Sequence, residues 1–367
     1  MKEEFLAYKL ANMSLSEKIG QMIMIDYRDT LEMTSELENI LTTYNPGGFI
    51  LFKGNVPTHD EKQKNYNQTQ KFLSDIKNAT DIKGMIAVDQ EGGRVQRLDE
   101  RVGFDNYPPM SEIGATKNPQ LAFDLGAEMG RELKEIGVDM DMAPILDIFS
   151  NPKNTAIGDR AFGTTSDIVN QMAFSYADGL KKENIIPVGK HFPGHGGTLK
   201  DSHIDLPFID KTEEELNALE LLPFIEAVRQ KLPGLMVGHI AVPKIDESNI
   251  PASISKVMIS DLLKQKMGYE GLIMPDSLQM KALTKYFTNE DVYLRCVNAG
   301  NDFILMPQDI KEAYEVIYRK VNEGEISEER IDSSVYKILS TKFDYGFFDE
   351  EYKVFLSSFN HGGGRRR

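Results

Sequence analysis

Three of the six histidines in this 367-residue chain fall in one short stretch, Lys190-His191-Phe192-Pro193-Gly194-His195-Gly196-Gly197-Thr198-Leu199-Lys200-Asp201-Ser202-His203. Imidazole exchanges protons near neutral pH, so a histidine cluster on a glycine-broken loop is where proton chemistry is first sought. Asp201 and His203 form an Asp-x-His pair. A carboxylate beside an imidazole orients the ring and raises its pKa, which poises it as a general acid/base. His191, His195, Asp201 and His203 also invite a metal reading. Their spacing matches no common zinc signature, Gly194, Gly196 and Gly197 leave the loop mobile, and no cysteine lies nearby. No metal and no cofactor are expected.

Other segments carry groups that could meet that loop. Asp276 follows the apolar run Gly271-Leu272-Ile273-Met274 and the stiff Pro275, so its carboxylate leaves a strand in a fixed direction. Such a group can act as a nucleophile or stabilise a cation; it can equally cap the helix that follows. Asp89-Gln90-Glu91-Gly92-Gly93-Arg94 places two acids and an arginine at a glycine turn, a composition suited to hydroxyl recognition. It lacks the terminal Lys-Ser/Thr of a phosphate loop. Asp159-Arg160 offers either a clamp on a polar ligand or a partner for a neighbouring carboxylate.

Positioning these groups requires a scaffold, and the chain shows a repeating one. Eight short runs are apolar on both faces: Met22–Tyr27, Gly48–Phe52, Met85–Gln90, Met140–Asp147, Ile186–Phe192, Leu235–Ile240, Leu272–Ser277 and Asp302–Met306. That is the pattern of parallel strands covered on both sides. Helical periods separate most of them, at Pro119–Glu135, Ser166–Lys182, Thr212–Gln230, Ser255–Lys266, Asn289–Ala299 and Gln308–Glu323. Thr212 and Glu215 form a capping box. The first two connections are the least distinct. Alternation of this kind predicts a single-domain α/β fold, a (β/α)8 barrel over residues 1–350, with an open doubly wound sheet as the alternative. Ser327–Thr341 closes the barrel, and residues 351–367 form a short C-terminal extension with a disordered end. Asp26, Asp89, Asp147, Lys190 with His191, His239 and Asp276 all stand at or just past strand ends. In a barrel those ends share one face, where active sites lie. So many charges at one mouth are poorly explained as independent helix caps, since holding them there costs stability without a ligand.

Composition narrows the function. A hydrophobic fraction of 41% with 27% charged residues is that of a globular protein, and a net charge of −15 argues against nucleic acid as a partner. One cysteine, Cys296, permits no internal disulfide. The N-terminus opens with acids and lacks a signal-peptide core, and no run approaches the length of a membrane span. A cytoplasmic monomer without membrane association is the expectation.

Taken together, the motifs resemble glycoside hydrolase family 3, and within it the single-domain β-N-acetylglucosaminidases of the bacterial muropeptide-recycling type. The resemblance rests on Glu17-Lys18-Ile19-Gly20-Gln21-Met22, Asp89-Gln90-Glu91-Gly92-Gly93-Arg94, Ala143-Pro144-Ile145-Leu146-Asp147, Ile157-Gly158-Asp159-Arg160-Ala161-Phe162-Gly163, Lys190-His191-Phe192-Pro193-Gly194-His195-Gly196 and Pro275-Asp276-Ser277-Leu278-Gln279-Met280. It implies a retaining, metal-independent hydrolase of oligosaccharides that carry terminal N-acetylglucosamine. Asp276 matches the family's nucleophile, and His203, oriented by Asp201, its acid/base. Asp89, Arg160, Lys190 and His191 match residues that hold the terminal sugar. One departure is Gly197, where the family usually has aspartate. The remaining readings are another family 3 β-glycosidase, such as a β-glucosidase or xylosidase, and a non-catalytic sugar-binding protein.

Overall fold

The structure, a computed structural model, describes residues 1–198 and 206–362, with side chains through Ser358. Asp201 and His203 lie outside the described residues. Eight parallel strands form the centre: β1 (Ile23–Ile25), β2 (Gly48–Leu51), β3 (Met85–Val88), β4 (Met140–Asp141), β5 (Ile186–Phe192), β6 (Gly234–Val237), β7 (Leu272–Pro275) and β8 (Ile304–Leu305). Each pairs with the next from β1 through β7, and β8 returns to pair with β1, Ile23 opposite Ile304. The remaining gap, between β7 and β8, is bridged locally. Asp302 N–H donates to the Ile273 carbonyl at 2.7 Å, and Ile273 N–H donates to the Asp302 carboxylate at 2.9 Å. The architecture is the expected (β/α)8 barrel, and each of the eight apolar runs overlaps a strand, the sixth of which starts one residue early, at Gly234.

The strands form because both faces are apolar. Ile23, Met24, Phe49, Ile86, Val188, Leu235 and Ile273 are all buried. Surrounding helices supply the outer layer. Pro119–Ile136 begins at Asn118, whose side chain accepts from the Gln120 and Leu121 amides. It packs on Ser166–Lys182 so closely that a Cβ at Gly126 would stand 2.2 Å from the Tyr176 carbonyl, and one at Gly179 would meet Phe123 equally closely. Only glycine permits that approach.

Two differences from the sequence pattern have local causes. Thr212–Gln230 is two helices, Glu213–Asn217 and Leu222–Arg229, because Pro223 opens the second. The capping box at Thr212 and Glu215 is present. The indistinct early connections are helices at Ser35–Tyr44 and Lys62–Asn78. Glu328–Asp344 closes the barrel, and a last helix, Asp349–Gly362, lies on the N-terminal helix Lys2–Ala11. There the Phe5 ring meets Tyr352 and Phe355, each at 5.3 Å between centroids. No helix among the described residues is long and apolar enough to cross a membrane.

Candidate active site

The C-terminal ends of the strands converge on a cavity of about 390 Å³, walled by Phe52, Asp89, Arg97, Met236, Asp276 and Gln279 among others. That volume lies within the range of small-ligand sites. A larger cavity, about 1160 Å³, opens at the opposite end against Leu232, Pro233 and Leu272. Two of its acids are paired with lysines of the N-terminal helices, Asp332 with Lys18 at 2.6 Å and Asp344 with Lys2 at 2.5 Å. Barrel chemistry takes place at the other face, so the smaller cavity is the candidate site.

Asp89 and Arg97 on its wall are backed by a charge cluster. Lys190, on β5, places Nζ 2.9 Å from Asp89 Oδ1 and 2.7 Å from Glu91 Oε1. Arg160 grips both oxygens of Glu91, donating from Nε and Nη2 at 2.8 Å each. Arg97 donates to Asp89 Oδ2 at 3.3 Å. Asp89 and Glu91 can sit together because a short hairpin follows β3: Gln90 pairs with Gln96, and the Gln90 side chain binds the backbone of Leu98 in both directions. Burial raises a carboxyl's pKa, but here the cations prevail. Asp89 is held below the usual range by Lys190 and Arg97, and Glu91 by Arg160 and Lys190. Burial likewise works against Lys190, yet the same acids raise its pKa. The cluster therefore stays ionised at neutral pH.

The register of β5 shifts between Lys190, opposite Met236, and Phe192, opposite Val237. This irregularity breaks strand alternation, and adjacent side chains both find buried acids. Lys190 takes Asp89 and Glu91, while His191 Nδ1 lies 2.7 Å from Asp147 Oδ2. Asp147 is wholly buried at the end of the β4 segment and also accepts the His195 amide at 2.5 Å. Burial raises its pKa, and the two histidines more than reverse that. His195 turns Nδ1 to the Thr198 hydroxyl at 2.7 Å. Its pKa is lowered, by burial first and by His191 second, and the negative charge of Asp276 works in the opposite direction. Asp147 thus braces the base of the histidine loop.

Asp276 leaves β7 beside the cavity. Its amide donates to the Val237 carbonyl at 2.8 Å, and its Oδ1 accepts the Ser277 amide at 2.7 Å. The next helix, Lys281–Thr284, is preceded by Met280, so Asp276 is not its cap. His239 supports the turn from below. Its Nε2 faces the Ser277 carbonyl at 2.8 Å and so carries a proton, and its Nδ1 is hydrogen-bonded with Ser253 Oγ at 2.6 Å. At the rim, Gln279 donates to Asp26 at 2.9 Å, and Asp26 accepts from Arg28 at 2.8 Å. Arg28 lies over the Phe52 ring at 4.3 Å, with Arg97 on the same ring at 5.5 Å.

The structure brings Asp89, Arg160, Lys190, His191 and Asp276 to one mouth, although they do not stand equally near the cavity. Asp89 and Asp276 form its wall. Arg160 acts through Glu91, so it pairs with a mouth carboxylate as one of its two sequence readings held. Its neighbour Asp159 pairs instead with Arg94, at 2.9 Å, and Arg94 also holds three carbonyls of the 155–157 turn. Glu91 corrects the idea that both acids of its motif face hydroxyls: it is 2% exposed and occupied by two cations. Sequence reasoning missed Arg97. Its place opposite Asp89 depends on the hairpin's return, and the only signal was an arginine just after a glycine turn.

Among the described residues no group of three or more His, Cys, Asp or Glu side chains is arranged to hold a metal ion.

Comparison with known proteins fits this geometry. The model of the glycosyl hydrolase family 3 N-terminal domain matches residues 14–341. A β-hexosaminidase from Idiomarina loihiensis is 34% identical over 80% of this chain and 86% of its own length. β-Hexosaminidase A from Pseudoalteromonas piscicida is 29% identical over 90% of this chain, which spans 61% of that relative. Among solved structures, a glycoside hydrolase family 3 β-N-acetylglucosaminidase from Paenibacillus sp. str. FPU-7 superposes with a TM-score of 0.86 at 32% identity. The match covers 91% of this chain and 63% of that one.

Proposed function

The chain belongs to glycosyl hydrolase family 3, and from that premise we propose that it is a retaining exo-β-N-acetylglucosaminidase. Its substrates are oligosaccharides with a terminal N-acetylglucosamine, derived from peptidoglycan or of chitin type. The observation that carries the reading is a cavity with Asp89 and Asp276 both on its wall, Asp89 being backed by the ionised cluster of Lys190, Glu91 and Arg160. A sugar offers hydroxyls that both donate and accept. Asp89 and Arg97, side by side on that wall, offer an acceptor and a donor without burying an unpaired charge. The names of the β-hexosaminidase and β-N-acetylglucosaminidase relatives support the acetamido sugar.

In this reading Asp276 attacks the anomeric carbon, and the bond from that carbon to the leaving oxygen breaks. His203, oriented by Asp201, gives its proton to that oxygen. The glycosyl–Asp276 ester is then opened by water, which loses a proton to His203, and configuration is retained overall. Asp89 binds sugar hydroxyls directly. Lys190 and Arg97 fix its carboxylate, and His191 is held in place by Asp147. A histidine acid/base suits this mouth, because a second free carboxylate beside Asp276 would raise the nucleophile's pKa.

The experiment is hydrolysis of p-nitrophenyl N-acetyl-β-D-glucosaminide beside the matching glucoside, with the product anomer followed by NMR. Turnover of the acetamido substrate with first release of the β-anomer is expected. Preference for the glucoside would favour another family 3 activity, and binding without turnover would favour a sugar-binding protein.

A further inference from the structure

Asp89 and Glu91 are carried by a peptide that has its own supports. Gln90, between them, is wholly buried. Its side chain accepts from the Arg97 amide at 3.0 Å and the Leu98 amide at 3.1 Å, and donates to the Leu98 carbonyl at 2.7 Å. Its backbone turns the other way, to Asp141 on β4 and Tyr176 on the helix Ser166–Lys182. Gln90 N–H donates to Asp141 Oδ1 at 3.0 Å, and the Gln90 carbonyl lies 3.3 Å from the Tyr176 hydroxyl. That hydroxyl is also 3.3 Å from Asp141 Oδ2 and 2.8 Å from Met129 Sδ. Asp141 and Tyr176 are both buried. Asp89, Glu91 and Arg97 therefore take their places from one residue, and Asp141 with Tyr176 holds that residue.

A proton count shows which form of Asp141 suits the arrangement. The Tyr176 hydroxyl has one hydrogen for three neighbours, and the Met129 sulfur is the weakest acceptor of them. Were Asp141 ionised, its charge would draw that hydrogen to Oδ2, and the Gln90 carbonyl would lose it. With Asp141 neutral, Oδ2–H donates to the Tyr176 oxygen and the Tyr176 hydrogen turns to the Gln90 carbonyl. Gln90 N–H then returns to Oδ1, and the ring is closed. Among the described residues Asp141 touches no cation; its polar contacts are the Gln90 amide and Tyr176. The charged groups that face it are Asp89 and Glu91 on the hairpin and Lys190 on β5. Burial holds its pKa well above the usual carboxylate range, with the two acids assisting and the Gln90 amide and Lys190 opposing.

We infer that Asp141 is a positioning residue which, with Tyr176, closes a ring of hydrogen bonds around the Gln90 peptide and so fixes Asp89 and Arg97 at the sugar. The inference rests on the proposed contact of Asp89 with sugar hydroxyls. It predicts that a carboxamide serves in place of the acid, since Nδ2–H replaces Oδ2–H and Oδ1 stays. The spare N–H costs stability and leaves the ring intact.

The test measures kcat/KM on p-nitrophenyl N-acetyl-β-D-glucosaminide and on its 3-, 4- and 6-deoxy analogues. Wild type is compared with Asp89→Ala, Asp141→Leu, Asp141→Asn and Tyr176→Phe. The hydroxyl held by Asp89 is the one whose removal costs wild type most and Asp89→Ala least. A hydrogen bond to a charged group is worth about 10–100-fold. Asp141→Leu opens the ring at both oxygens and should lose about tenfold on the full substrate, but under about twofold on the analogue lacking that hydroxyl. Tyr176→Phe, which removes a single oxygen, should show the same selectivity and keeps the test open where Asp141→Leu does not fold. Asp141→Asn should restore the full substrate to within about twofold of wild type. Infrared spectra at pH 7 should show a protonated-carboxyl stretch in wild type that the Asn variant lacks. Equal losses on every analogue, or a loss in Asp141→Asn as deep as in Asp141→Leu, would overturn the inference. If Asp89→Ala keeps the wild-type pattern across the analogues, the sugar contact of Asp89 falls and takes this inference with it. If Asp89→Ala is selective and the Asp141 and Tyr176 variants are not, only the role of Asp141 falls.

Discussion

Glu91 gives the sharpest test of how the charge cluster behind Asp89 is held. Its two oxygens receive Lys190 at 2.7 Å and Arg160 twice at 2.8 Å, in a position 2% exposed. In Glu91→Gln one oxygen becomes an NH2 group that must face a cation's own N–H donors. Two buried cations then share one neutral acceptor. Removing one partner of a buried pair costs about 3–5 kcal/mol. Against a total stability of about 5–15 kcal/mol, the variant stays largely folded at 25 °C. Lys190 keeps Asp89, whereas Arg160 retains, among the described residues, only its hydrogen bond to the Ala156 carbonyl at 2.9 Å. Its loosening disturbs Lys190 and, through it, Asp89, and kcat/KM should fall by about 10–100-fold, equivalent to roughly 1.4–2.8 kcal/mol of lost transition-state binding. The pH dependence adds a second check. Burial pushes Glu91 up, but Arg160 and Lys190 hold it below the usual carboxylate range. A carboxyl with a depressed folded pKa contributes stability that is complete above the unfolded value, about 4.3, and is lost as pH falls toward the folded value. Urea denaturation at pH 7, 5, 4 and 3 should therefore show the full gap between wild type and variant at pH 7 and 5, narrowing below about pH 4. A gap under about 1 kcal/mol at pH 7, or one that persists unchanged to pH 3, would refute the argument.

Three further outcomes follow from other contacts. Asp147→Asn replaces one acceptor beneath His191 and the His195 amide; kcat should fall by about tenfold or more with little change in KM for an aryl substrate, measured by steady-state kinetics. Lys342 is fully buried against Gln21 Oε1 at 2.6 Å, and burial pushes its pKa down to about 7, with Asp139 opposing and Lys9 assisting. The unfolded chain then binds the extra proton between about pH 7 and 10, so stability should rise with pH across that window and be lowest and flat below it. Lys342→Met should flatten the rise and raise the melting temperature at pH 7, as scanning calorimetry would show. His239→Phe leaves the Ser277 carbonyl and Ser253 without their partner and should lower kcat more than it raises KM, whereas a change confined to KM would contradict its support of Asp276.

Much of this was legible in the sequence because barrel strands are apolar on both faces. All eight runs stand out for that reason, and their ends mark the mouth without any knowledge of pairing. The helix Lys62–Asn78 did not stand out. Its inner face carries buried Asn65 and Thr69 before Phe72, Leu73 and Ile76, and Asn65 is there to bind the backbone of His59 and Arg101. Polar residues used in this way erase a hydrophobic period. At the site, the placing of Asp89, Lys190 and Asp276 at the mouth could be read because each lies in or just past the last residues of its own strand. The division of labour between Asp89 and Glu91, and the arrival of Arg97, could not. Both depend on how a hairpin folds back and on which acid lies deeper, and neither is a property of local spacing. Asp201 and His203 were singled out from sequence and lie outside the described residues, so their roles rest on the proposed mechanism.

The most direct test of that mechanism is to trap the intermediate. A fluorinated N-acetylglucosaminyl substrate that forms the ester quickly and hydrolyses slowly is incubated with the intact protein, which is then digested and mapped by mass spectrometry. The account predicts one sugar per chain, attached to the peptide that contains Asp276. A label on a different carboxylate, or complete turnover with inverted product and no labelled peptide, would contradict it.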